Sequence, residues 1–435
     1  MTFTENGSIL KRMGGDRVGP GRDGVRPAGG TGCGREAFER CVGACPCGVQ
    51  APLWLKGDSV QTRPSELRIG LLNKKRGNYA IQEKLVGAGN VVDETDAEVA
   101  HHEQALAEAG YSVHQIRWGP DFVRDLQALD VDLVFNVSSM VEAAILEDLE
   151  IPYVGSDPFT IAIATDKSLA KRLWQQAGLP TSPFRVAGSE RDCEVFRDDP
   201  PFDYPLFVKP VAGRGSAGID DASVIHDYDQ LVTQVVARLE TIGQPVLIER
   251  FLRGREVTLG VLGNENARVL PPLEIAYRDG DVTLTFEKKA LDNDAFSCPA
   301  PLTAAETRTM QQLALRAYRV LGFKDFGRID TILTAEGPFL LEGNTFAGLM
   351  CTPKEKPYSY IGFMARAEGM EGKDLLDEIV RAAVRRIRPA WMPRASTRSA
   401  SGFFLVMGKR IFLRGLPSSP LRVDMAGFPF LNSLE

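Results

Sequence analysis

Short apolar runs alternate with amphipathic stretches between residues 67 and 160. The runs have the length of buried strands, and the stretches between them carry apolar residues near the spacing of one helix face. The predicted strands are Leu67–Leu72, Ser112–Trp118 and Asp132–Val137, and the predicted helices are Asp96–Ala109, Phe122–Leu129 and Val141–Leu149. Strands that alternate with helices of this length predict a parallel sheet with helices on its faces.

The pattern changes near residue 160. Strand-like runs now flank long helices, which indicates α+β organisation rather than strict alternation. Up to residue 252 the predicted elements are the helices Asp166–Ala177 and Tyr228–Ile242 and the strands Pro205–Lys209 and Val246–Phe251. Beyond residue 253 several strands surround the helix Ala304–Leu321, and the helix Gly372–Ile387 follows. The fold class expected for the whole chain is therefore α/β, with α+β parts.

The two ends of the chain differ from this pattern. Residues 1–65 are rich in Gly, Pro and Arg and are expected to form a disordered leader. Four of the seven cysteines lie there, but their CxxxCxC spacing with one distant cysteine is not a standard zinc pattern. Residues 389–435 are expected to form a basic, flexible tail.

Composition narrows the function classes. The 435 residues are 44% apolar and 25% charged, as in an ordinary soluble globular protein. A net charge of -6 argues against nucleic acid as the main partner, because phosphate-backbone binders carry a basic excess. No apolar run reaches the length of a membrane span, and the first residues lack the apolar core of a secretory signal. The expected location is cytoplasmic.

The clearest candidate site is a hairpin at residues 327–345. A strand ends at Ala335-Glu336-Gly337 and a second strand returns, which places Asp330 opposite Glu342 and Arg328 opposite Asn344. These four side chains then share one face. Two facing carboxylates repel each other unless a cation lies between them, and Mg²⁺ prefers such oxygen ligands together with phosphates. The alternative is a solvent-facing charged ladder compensated by Arg328.

Two further segments suit a nucleotide. Lys209 ends an apolar strand and precedes a glycine-rich turn containing Gly215 and Ser216, which could neutralise and approach phosphate oxygens. The turn is not a Walker A motif, and alone it indicates only a turn. After the strand at residues 246–252, Glu249 and Glu256 could accept hydrogen bonds from adenine and ribose. The alternative for that segment is an exposed charged loop.

In this order, these pieces resemble the ATP-grasp fold and, within it, the D-alanine–D-alanine ligase family. The resemblance runs from about residue 67 to residue 388. It is carried by segments similar to the family motifs IPYTGS, DK…K…GLPT, CPA and R-[IV]-D…E-x-N-T. In this chain they are Ile151–Ser156, Asp166–Lys171 with Gly178–Thr181, Cys298–Ala300, and Arg328–Asp330 with Glu342–Thr345.

The resemblance implies three domains that clamp ATP: an N-terminal parallel α/β substrate domain at 66–160, a central lobe at 161–252 and a C-terminal catalytic lobe at 253–388. It also implies residue roles. ATP would be bound by Lys167, Lys209, Gly215, Ser216, Glu249, Arg250, Phe251, Leu252, Glu256 and the loop lysine Lys288. Two Mg²⁺ ions, or Mn²⁺, would be held by Asp330, Glu342 and Asn344. Arg328 and the backbone N–H of Gly348 would stabilise the reaction's oxyanion.

The implied reaction is formation of an amide or peptide bond through an acyl phosphate. Phosphorylation gives a carboxylate a leaving group, and prepositioned donors meet the charge that develops when an amine attacks. The expected partners are a small-molecule acid and amine, with no nucleic acid and no membrane, and a homodimer is a candidate assembly. Two alternatives stay open: an ATP-dependent phosphotransferase or carboxylase-type enzyme, and an inactive ATP-binding module.

The chain departs from the family where substrates are recognised. The GGxSxE loop is missing, and Asn73–Asn78 follows the first strand instead. The tyrosine after the loop lysine is Lys289, and the serine that reads the second D-alanine carboxylate falls on Pro353. These departures predict a substrate pair other than two D-alanines. The basic residues Lys74, Lys75, Arg76, Lys354 and Lys356 favour an anionic substrate, unless they are simply surface charge.

Overall fold

The computed structural model describes residues 67–73, 96–136, 140–213, 218–276, 295–353 and 359–387, and the backbone of 404–407 and 410–413. All of them lie in one compact unit, Thr62–Glu435. The leader and most of the tail lie outside the described residues, and so do three candidate site residues, Gly215, Ser216 and Lys288. Within the tail, β15 (Phe404–Met407) pairs antiparallel with β16 (Arg410–Leu413), two strands that the sequence analysis did not predict.

The first sheet has four parallel strands in the order β2-β1-β3-β4, which confirms the predicted alternation of strands and helices. Its strands are β1 (Arg68–Asn73), β2 (Ser112–Arg117), β3 (Leu133–Phe135) and β4 (Tyr153–Val154), and its helices are α1 (Asp96–Glu108), α2 (Phe122–Ala128) and α3 (Met140–Asp148). The carboxyl ends of parallel strands lie at one edge of a sheet, where ligands of α/β proteins commonly bind.

Two helices lead to a second sheet. Helix α4 (Pro158–Thr165) is followed by α5 (Lys167–Gln176), whose N-cap Asp166 accepts hydrogen bonds from the backbone N–H groups of Ser168 and Leu169. The second sheet is antiparallel, in the order β5-β8-β6-β7, and is covered by helix α6 (Tyr228–Ile242). Its strands are β5 (Phe184–Ala187), β6 (Leu206–Pro210), β7 (Val224–Ile225) and β8 (Val246–Arg250).

The third sheet contains the candidate hairpin. It is antiparallel in the order β12-β11-β9-β13-β14, with β10 paired to β9. Its strands are β9 (Arg255–Leu262), β10 (Arg268–Val269), β11 (Leu273–Ala276), β12 (Ala295–Ser297), β13 (Phe326–Thr334) and β14 (Gly337–Asn344), and its helices are α7 (Ala304–Leu321), α8 (Tyr360–Ala367) and α9 (Gly372–Ile387). Three parallel or antiparallel sheets with flanking helices confirm the predicted α/β class with α+β parts.

Asp325 connects the parallel sheet to the third sheet. Its carboxylate is fully buried and accepts hydrogen bonds from the backbone N–H of Gly155, at 2.8 Å, and from the side chain of Arg386, at 2.7 and 3.0 Å. Arg386 also donates to the carbonyl oxygen of Tyr153. A buried charge is stable only when it is paired and hydrogen-bonded in this way. The contact fixes the carboxyl end of β4 beside the strand that leads into the hairpin.

One apolar core extends across the first and third sheets. Ile69 and Phe135 of the parallel sheet pack in the same cluster as Phe326 of β13 and Leu375 and Ile379 of α9. Helix α9 therefore covers the first sheet although it comes last among these elements in the chain. In the part of the chain that the structure describes, no helix is long and apolar enough to cross a membrane.

Candidate active site

The hairpin β13–β14 has the predicted residue pairs at the end away from its turn. Asp330 lies opposite Glu342 and Arg328 lies opposite Asn344. The turn, however, is tighter than predicted, because Thr334 already pairs with Gly337. A register shift after Asp330, where Leu341 is the extra residue, restores the predicted alignment. The predicted pairing is thus confirmed, although it depends on a bulge that the sequence analysis did not foresee.

Asp330 lies at the centre of a buried hydrogen-bond network and is only 7% exposed. Its two carboxylate oxygens accept from the Arg328 guanidinium in a bidentate pair, at 2.8 Å each. Asn344 Nδ2 donates to Oδ2 at 2.9 Å, and the Thr258 hydroxyl on β9 donates to Oδ1 at 2.5 Å. The alternative of a solvent-facing charged ladder is therefore wrong for Asp330, although Arg328 does compensate its charge.

Glu342 faces a cleft beside this network. The cleft is lined by Lys167, Gly213 and Asn344 together with Glu342 itself. Lys167 Nζ lies 3.6 Å from Glu342 Oε2 and donates to the carbonyl oxygen of Gly213 at 2.8 Å. The lysine ammonium, an acidic side chain and the start of the glycine-rich turn therefore meet in one place, as the sequence predicts for a phosphate site.

Glu249 is buried between two lysines. Its Oε1 lies 2.5 Å from Lys171 Nζ, and its Oε2 lies 2.7 Å from Lys209 Nζ. Lys171 also donates to the Thr181 hydroxyl, which in turn donates to the carbonyl oxygen of Leu340 on β14. This chain of contacts joins helix α5, the second sheet and the hairpin. We call the three residues Lys171, Glu249 and Lys209 the lysine–glutamate cluster.

The charges in this region influence each other's protonation. Burial lowers the pKa values of Lys167 and Lys171 despite the neighbouring carboxylates. Burial also acts to lower the pKa of Lys209, but Glu249 and Glu342 outweigh it and the pKa is raised. The pKa of Glu249 is lowered, because its two lysines outweigh the burial that would raise it. Lys167, which lines the cleft, thus lacks full compensation of its positive charge, which an anionic ligand would supply.

The residues predicted to line adenine and ribose lie around the end of β8. Arg250 forms a bidentate pair with Glu336 at the hairpin turn, at 3.1 Å for both bonds. The Phe251 ring stacks near Phe207, with 6.1 Å between centroids. Leu252 and Glu256 are half-buried. Because the Glu249 carboxylate is engaged by two lysines, an exposed charged loop is the wrong description of this residue. Its contact with adenine stays a prediction.

Gly348 lies in a segment that packs against the start of helix α8. A Cβ atom at Gly348 would stand 2.8 Å from Ser359 Cβ, so a larger residue would displace the segment. Arg328 lies over the ring of Tyr360, the first residue of α8, at 5.4 Å from the ring centroid. The two candidate oxyanion donors therefore both approach the start of α8, from the hairpin and from the segment that follows it.

Sequence reasoning missed several members of the site. Thr258 was not singled out, although it lies two residues after Glu256 and so on the same face of β9. Lys171 was noted only as part of a motif, and its pairing with Glu249 joins helix α5 to the second sheet. His101 on helix α1, whose ring accepts a hydrogen bond from the backbone N–H of Cys351, was not indicated by any sequence pattern. The common reason is that these contacts depend on packing between distant parts of the chain.

The oxygen atoms of the hairpin suit a hard divalent cation. Asp330 and Glu342 supply carboxylates, and the Asn344 amide oxygen remains for a ligand because the amide nitrogen is the atom bonded to Asp330. Among the described residues, no three His, Cys, Asp or Glu side chains stand ready as a complete metal site. Mg²⁺ takes few protein ligands and completes its shell with phosphate oxygens and water. The residues present therefore fit the ion.

Comparisons with known proteins identify relatives of this chain. Residues 173–381 match the family described as D-ala D-ala ligase C-terminus. The D-alanine–D-alanine ligase of Bordetella avium (strain 197N) is 34% identical over 294 residues, which are 66% of this chain and 88% of that protein. The corresponding ligase of Cupriavidus pinatubonensis is 31% identical over 299 residues, 66% of this chain and 88% of that protein.

Solved structures share the fold. The D-alanine–D-alanine ligase of Bacillus anthracis, in a complex with ATP, superposes with a TM-score of 0.54 at 19% identity and covers 75% of this chain and 100% of that chain. The VanG D-Ala:D-Ser ligase of Enterococcus faecalis gives a TM-score of 0.55 at 20% identity, covering 73% and 99%. The relatives at above 30% identity, matched over most of their length, show that the chain belongs to the D-alanine–D-alanine ligase family of ATP-grasp ligases, which form C–N bonds.

Proposed function

We propose that this protein joins a carboxylic acid to an amine at the expense of ATP, through an acyl phosphate, and that its substrates are not two D-alanines. The observation that carries the proposal is the cleft in which Lys167 faces Glu342 next to the glycine-rich turn. A reaction that transfers a phosphoryl group needs cations around the phosphate oxygens more than it needs a covalent nucleophile.

ATP is the substrate that this cleft would hold. Lys167 and Lys209 would bind its phosphates, together with Gly215, Ser216 and Lys288. Glu249, Arg250, Phe251 and Leu252 would line adenine, and Glu256 would bind ribose. Burial has already removed Lys167, which lines the cleft, and Lys209, which is paired with Glu249, from water, so they would pay little further desolvation when a triphosphate arrives. Their attraction for an anion is also stronger there than it would be at the surface.

Asp330, Glu342 and Asn344 would hold two Mg²⁺ ions, or Mn²⁺ in their place. The ions would neutralise charge on the phosphate oxygens. The protein's own contribution is to hold these three side chains in place. Arg328 and Asn344 fix both oxygens of Asp330, whereas Glu342 remains turned toward the cleft. This division would leave the acidic side chain of Glu342 accessible when ATP is bound.

Arg328 and the backbone N–H of Gly348 would act in the second step. When an amine attacks the activated acid, negative charge develops on the acyl oxygen, and donors that are already in place lower the barrier. The Asp330 carboxylate and the Tyr360 ring hold the Arg328 guanidinium in position. Binding of ATP alone would not require such a donor, which argues against an inactive ATP-binding module.

The substrate proposal rests on the rewritten recognition residues. Pro353 stands where the family has the serine that reads the second D-alanine, and it is exposed and has no donor group. The family's GGxSxE loop and loop tyrosine are replaced as well, although these replacements lie outside the described residues. The true pair is a small-molecule acid and amine, and an anionic substrate would suit the basic residues near both segments.

The proposal also covers the location, partners, assembly and domain division of the protein. We propose that the enzyme works in the cytoplasm on small molecules, without nucleic acid or membrane partners, and as a monomer or homodimer. We also propose the domain division at residues 66–160, 161–252 and 253–388. The net charge of -6 supports the exclusion of nucleic acid.

The test is a screen of acid and amine pairs for phosphate release with ATP and Mg²⁺. One pair should support turnover that depends on both acid and amine, whereas D-alanine alone should give little or no dipeptide. Efficient D-alanyl-D-alanine formation would overturn the substrate proposal and leave the ligase reaction intact. Release of ADP that needs the acid but no amine would instead favour the phosphotransferase.

A further inference from the structure

A histidine from helix α1 contacts the segment that follows Gly348. The backbone N–H of Cys351 donates a hydrogen bond to His101 Nε2 at 3.1 Å. His101 lies on helix α1, which packs on the parallel sheet, and Cys351 lies three residues after the candidate oxyanion donor. The two residues are 250 positions apart in the chain. The contact therefore joins the proposed substrate domain to the segment that carries Gly348.

The geometry settles the protonation state of the ring. A backbone N–H can only donate, so Nε2 must offer its lone pair, and the imidazole proton must reside on Nδ1. The ring is also held sterically. A Cβ atom at Gly372 would lie 3.0 Å from His101 Cε1, so the glycine at the start of α9 provides the space that the ring occupies.

The opposite side of the segment is fixed by helix α8. The backbone N–H of Ser359 donates to the carbonyl oxygen of Met350, and Gly362 lies so close to Met350 that a Cβ atom there would clash with its backbone. Cys351 itself is buried in the apolar core. His101 supplies the hydrogen bond from the side that faces α1. The segment is therefore held between helices α1 and α8. Of the residues that make these contacts, only His101 changes its charge near neutral pH.

We propose that His101 is a positioning residue: its neutral imidazole holds the segment Gly348–Cys351 so that the Gly348 N–H points at the reacting acyl oxygen. This inference rests on the proposed function, because it gives Gly348 the role assigned above. Oxyanion donors act only when they are in place before the charge develops, so a small displacement of this segment lowers the rate of the second step. The first step, which needs the cleft and the hairpin, depends less on it.

Surrounding charges decide when the contact persists. Burial lowers the pKa of His101 below its ordinary value of 6.5; the neighbouring His102 also lowers it, and Glu108 opposes them. The charged groups that act on the Cys351 thiol, near the other partner of the hydrogen bond, are Arg366, Glu371 and Asp374. A group with a lowered folded pKa stabilises the fold fully above pH 6.5, and this stabilisation is lost as the pH falls toward the folded value. The clamp should therefore be intact at neutral pH and weaken in acid.

Two substitutions of His101 distinguish the effect of its hydrogen-bond acceptor from the effect of the positive charge that it gains in acid. His101→Gln keeps an acceptor near the position of Nε2 but cannot become a cation, whereas His101→Phe keeps the bulk and removes the acceptor. His114→Gln is the matched control, because His114 is an exposed histidine on β2 of the same sheet. Hydrogen exchange of the full chain reports the Cys351 amide directly. The His101→Phe variant should exchange there roughly 2- to 10-fold faster than wild type, as expected for the loss of one hydrogen bond.

The activity measurements use the acid and amine pair found in the screen. His101→Phe should slow ligation on the order of tenfold or more while acyl phosphate, trapped with hydroxylamine, forms at close to the wild-type rate. His101→Gln should ligate at neutral pH and lose the acid limb of the wild-type pH profile. His114→Gln should behave as wild type in every measurement.

Three results would overturn the inference. Unchanged exchange at Cys351 in His101→Phe would show that the hydrogen bond does not hold the segment. An equal decline of both chemical steps, together with a lower melting temperature, would reduce His101 to a structural contact. If no acid and amine pair supports turnover, the proposed function fails and the positioning role fails with it, whereas the hydrogen bond itself is still judged by exchange alone.

Discussion

Two groups of charged residues interact with Lys167, which lines the cleft, and they are built differently. In the lysine–glutamate cluster, one carboxylate is enclosed by two ammonium groups and all three side chains are almost fully buried. In the hairpin cluster, which consists of Arg328, Asp330, Glu342 and Asn344, Asp330 is similarly enclosed. Glu342, however, is 29% exposed and lies 3.6 Å from Lys167 across the cleft.

The difference indicates which charges serve the fold and which serve a ligand. An ion pair that is almost fully buried mainly fixes the relative position of the elements that carry it, and breaking it is costly. A carboxylate that remains open to a cleft contributes little to folding and is available for a cation. The comparison predicts that substitutions in the hairpin cluster reduce catalysis, and that substitutions in the lysine–glutamate cluster reduce stability first.

The largest expected effect is on catalysis in Glu342→Gln. The variant loses a charged oxygen that would hold metal, so both phosphorylation and ligation should fall by on the order of 10³ or more. Because Glu342 faces the cleft, the melting temperature should change little. Hydroxylamine trapping with the true acid measures the first step, and amide formation measures the second. Full ligase activity in this variant would remove the metal assignment.

Arg328→Ala is the matched comparison, because it alters the same hairpin but acts on the acyl oxygen. Ligation should fall by on the order of 10²–10³, the usual cost of one oxyanion donor. Some acyl phosphate should still be trapped, since its formation depends chiefly on the metal and lysine residues, and Thr258 and Asn344 still hold Asp330. The Arg328 variant should thus retain trappable intermediate and the Glu342 variant almost none.

The next effect is on stability in Glu249→Leu. The substitution leaves Lys171 and Lys209 buried without their shared carboxylate, and the free energy of unfolding should fall by about 3–5 kcal/mol. Urea denaturation measures this loss. Glu240→Gln is the control, because Glu240 is exposed on helix α6, and a change within about 0.5 kcal/mol is expected there.

Acid should reproduce part of this loss in the wild-type chain. The two lysines hold the pKa of Glu249 below its ordinary value of 4.5. A carboxylate with a lowered folded pKa stabilises the fold fully above that ordinary value, and the stabilisation is lost as the pH falls toward the folded value. The stability difference between wild type and Glu249→Leu should therefore shrink below about pH 4.5. A difference that stays constant down to pH 3 would show that the cluster is not held by charge.

The hairpin cluster was largely predictable from sequence, and the lysine–glutamate cluster was not. Asp330 and Glu342 lie on adjacent strands joined by a short turn, so alternation along each strand is enough to place them on one face. Even there, the turn was predicted one residue too long and a bulge compensated for the error. The Lys171–Glu249 pair requires the packing of helix α5 against the second sheet. Neither the periodicity of α5 nor that of β8 contains this information.

The same physical reason explains why His101 was missed. Its partner is the backbone N–H of Cys351, and a backbone group leaves no mark in the residue pattern. The helices and strands of the fold were predicted well because their periodicity is local. Tyr228–Ile242, Ala304–Leu321 and Gly372–Ile387 have the predicted bounds. Their ends carry local signals, such as the capping box at Thr303 and the left-handed glycines Gly243 and Gly322.

The smallest expected effect is in Thr258→Val, which tests whether enclosure of Asp330 matters for catalysis. The hydroxyl of Thr258 donates to Asp330 Oδ1, but Arg328 and Asn344 remain bonded to the same carboxylate. Loss of one hydrogen bond to a charged group costs about 1.5–3 kcal/mol. Because two partners remain on the carboxylate, we expect the cost to lie at the low end, which corresponds to a decrease in turnover of roughly tenfold. The apparent affinity for Mg²⁺ should weaken together with turnover, because Asp330 Oδ1 loses one of its two hydrogen bonds and the carboxylate is held less firmly. Phosphate release measured over a range of Mg²⁺ concentrations detects this change, and Thr258→Ser, which keeps the hydroxyl, should behave as wild type. Thr258→Val could instead lose turnover at saturating Mg²⁺ with no change in Mg²⁺ dependence. That result would show that the hydroxyl supports the packing of β9 against β13 and not the position of the carboxylate. Asp330 would then belong with the charges that stabilise the fold.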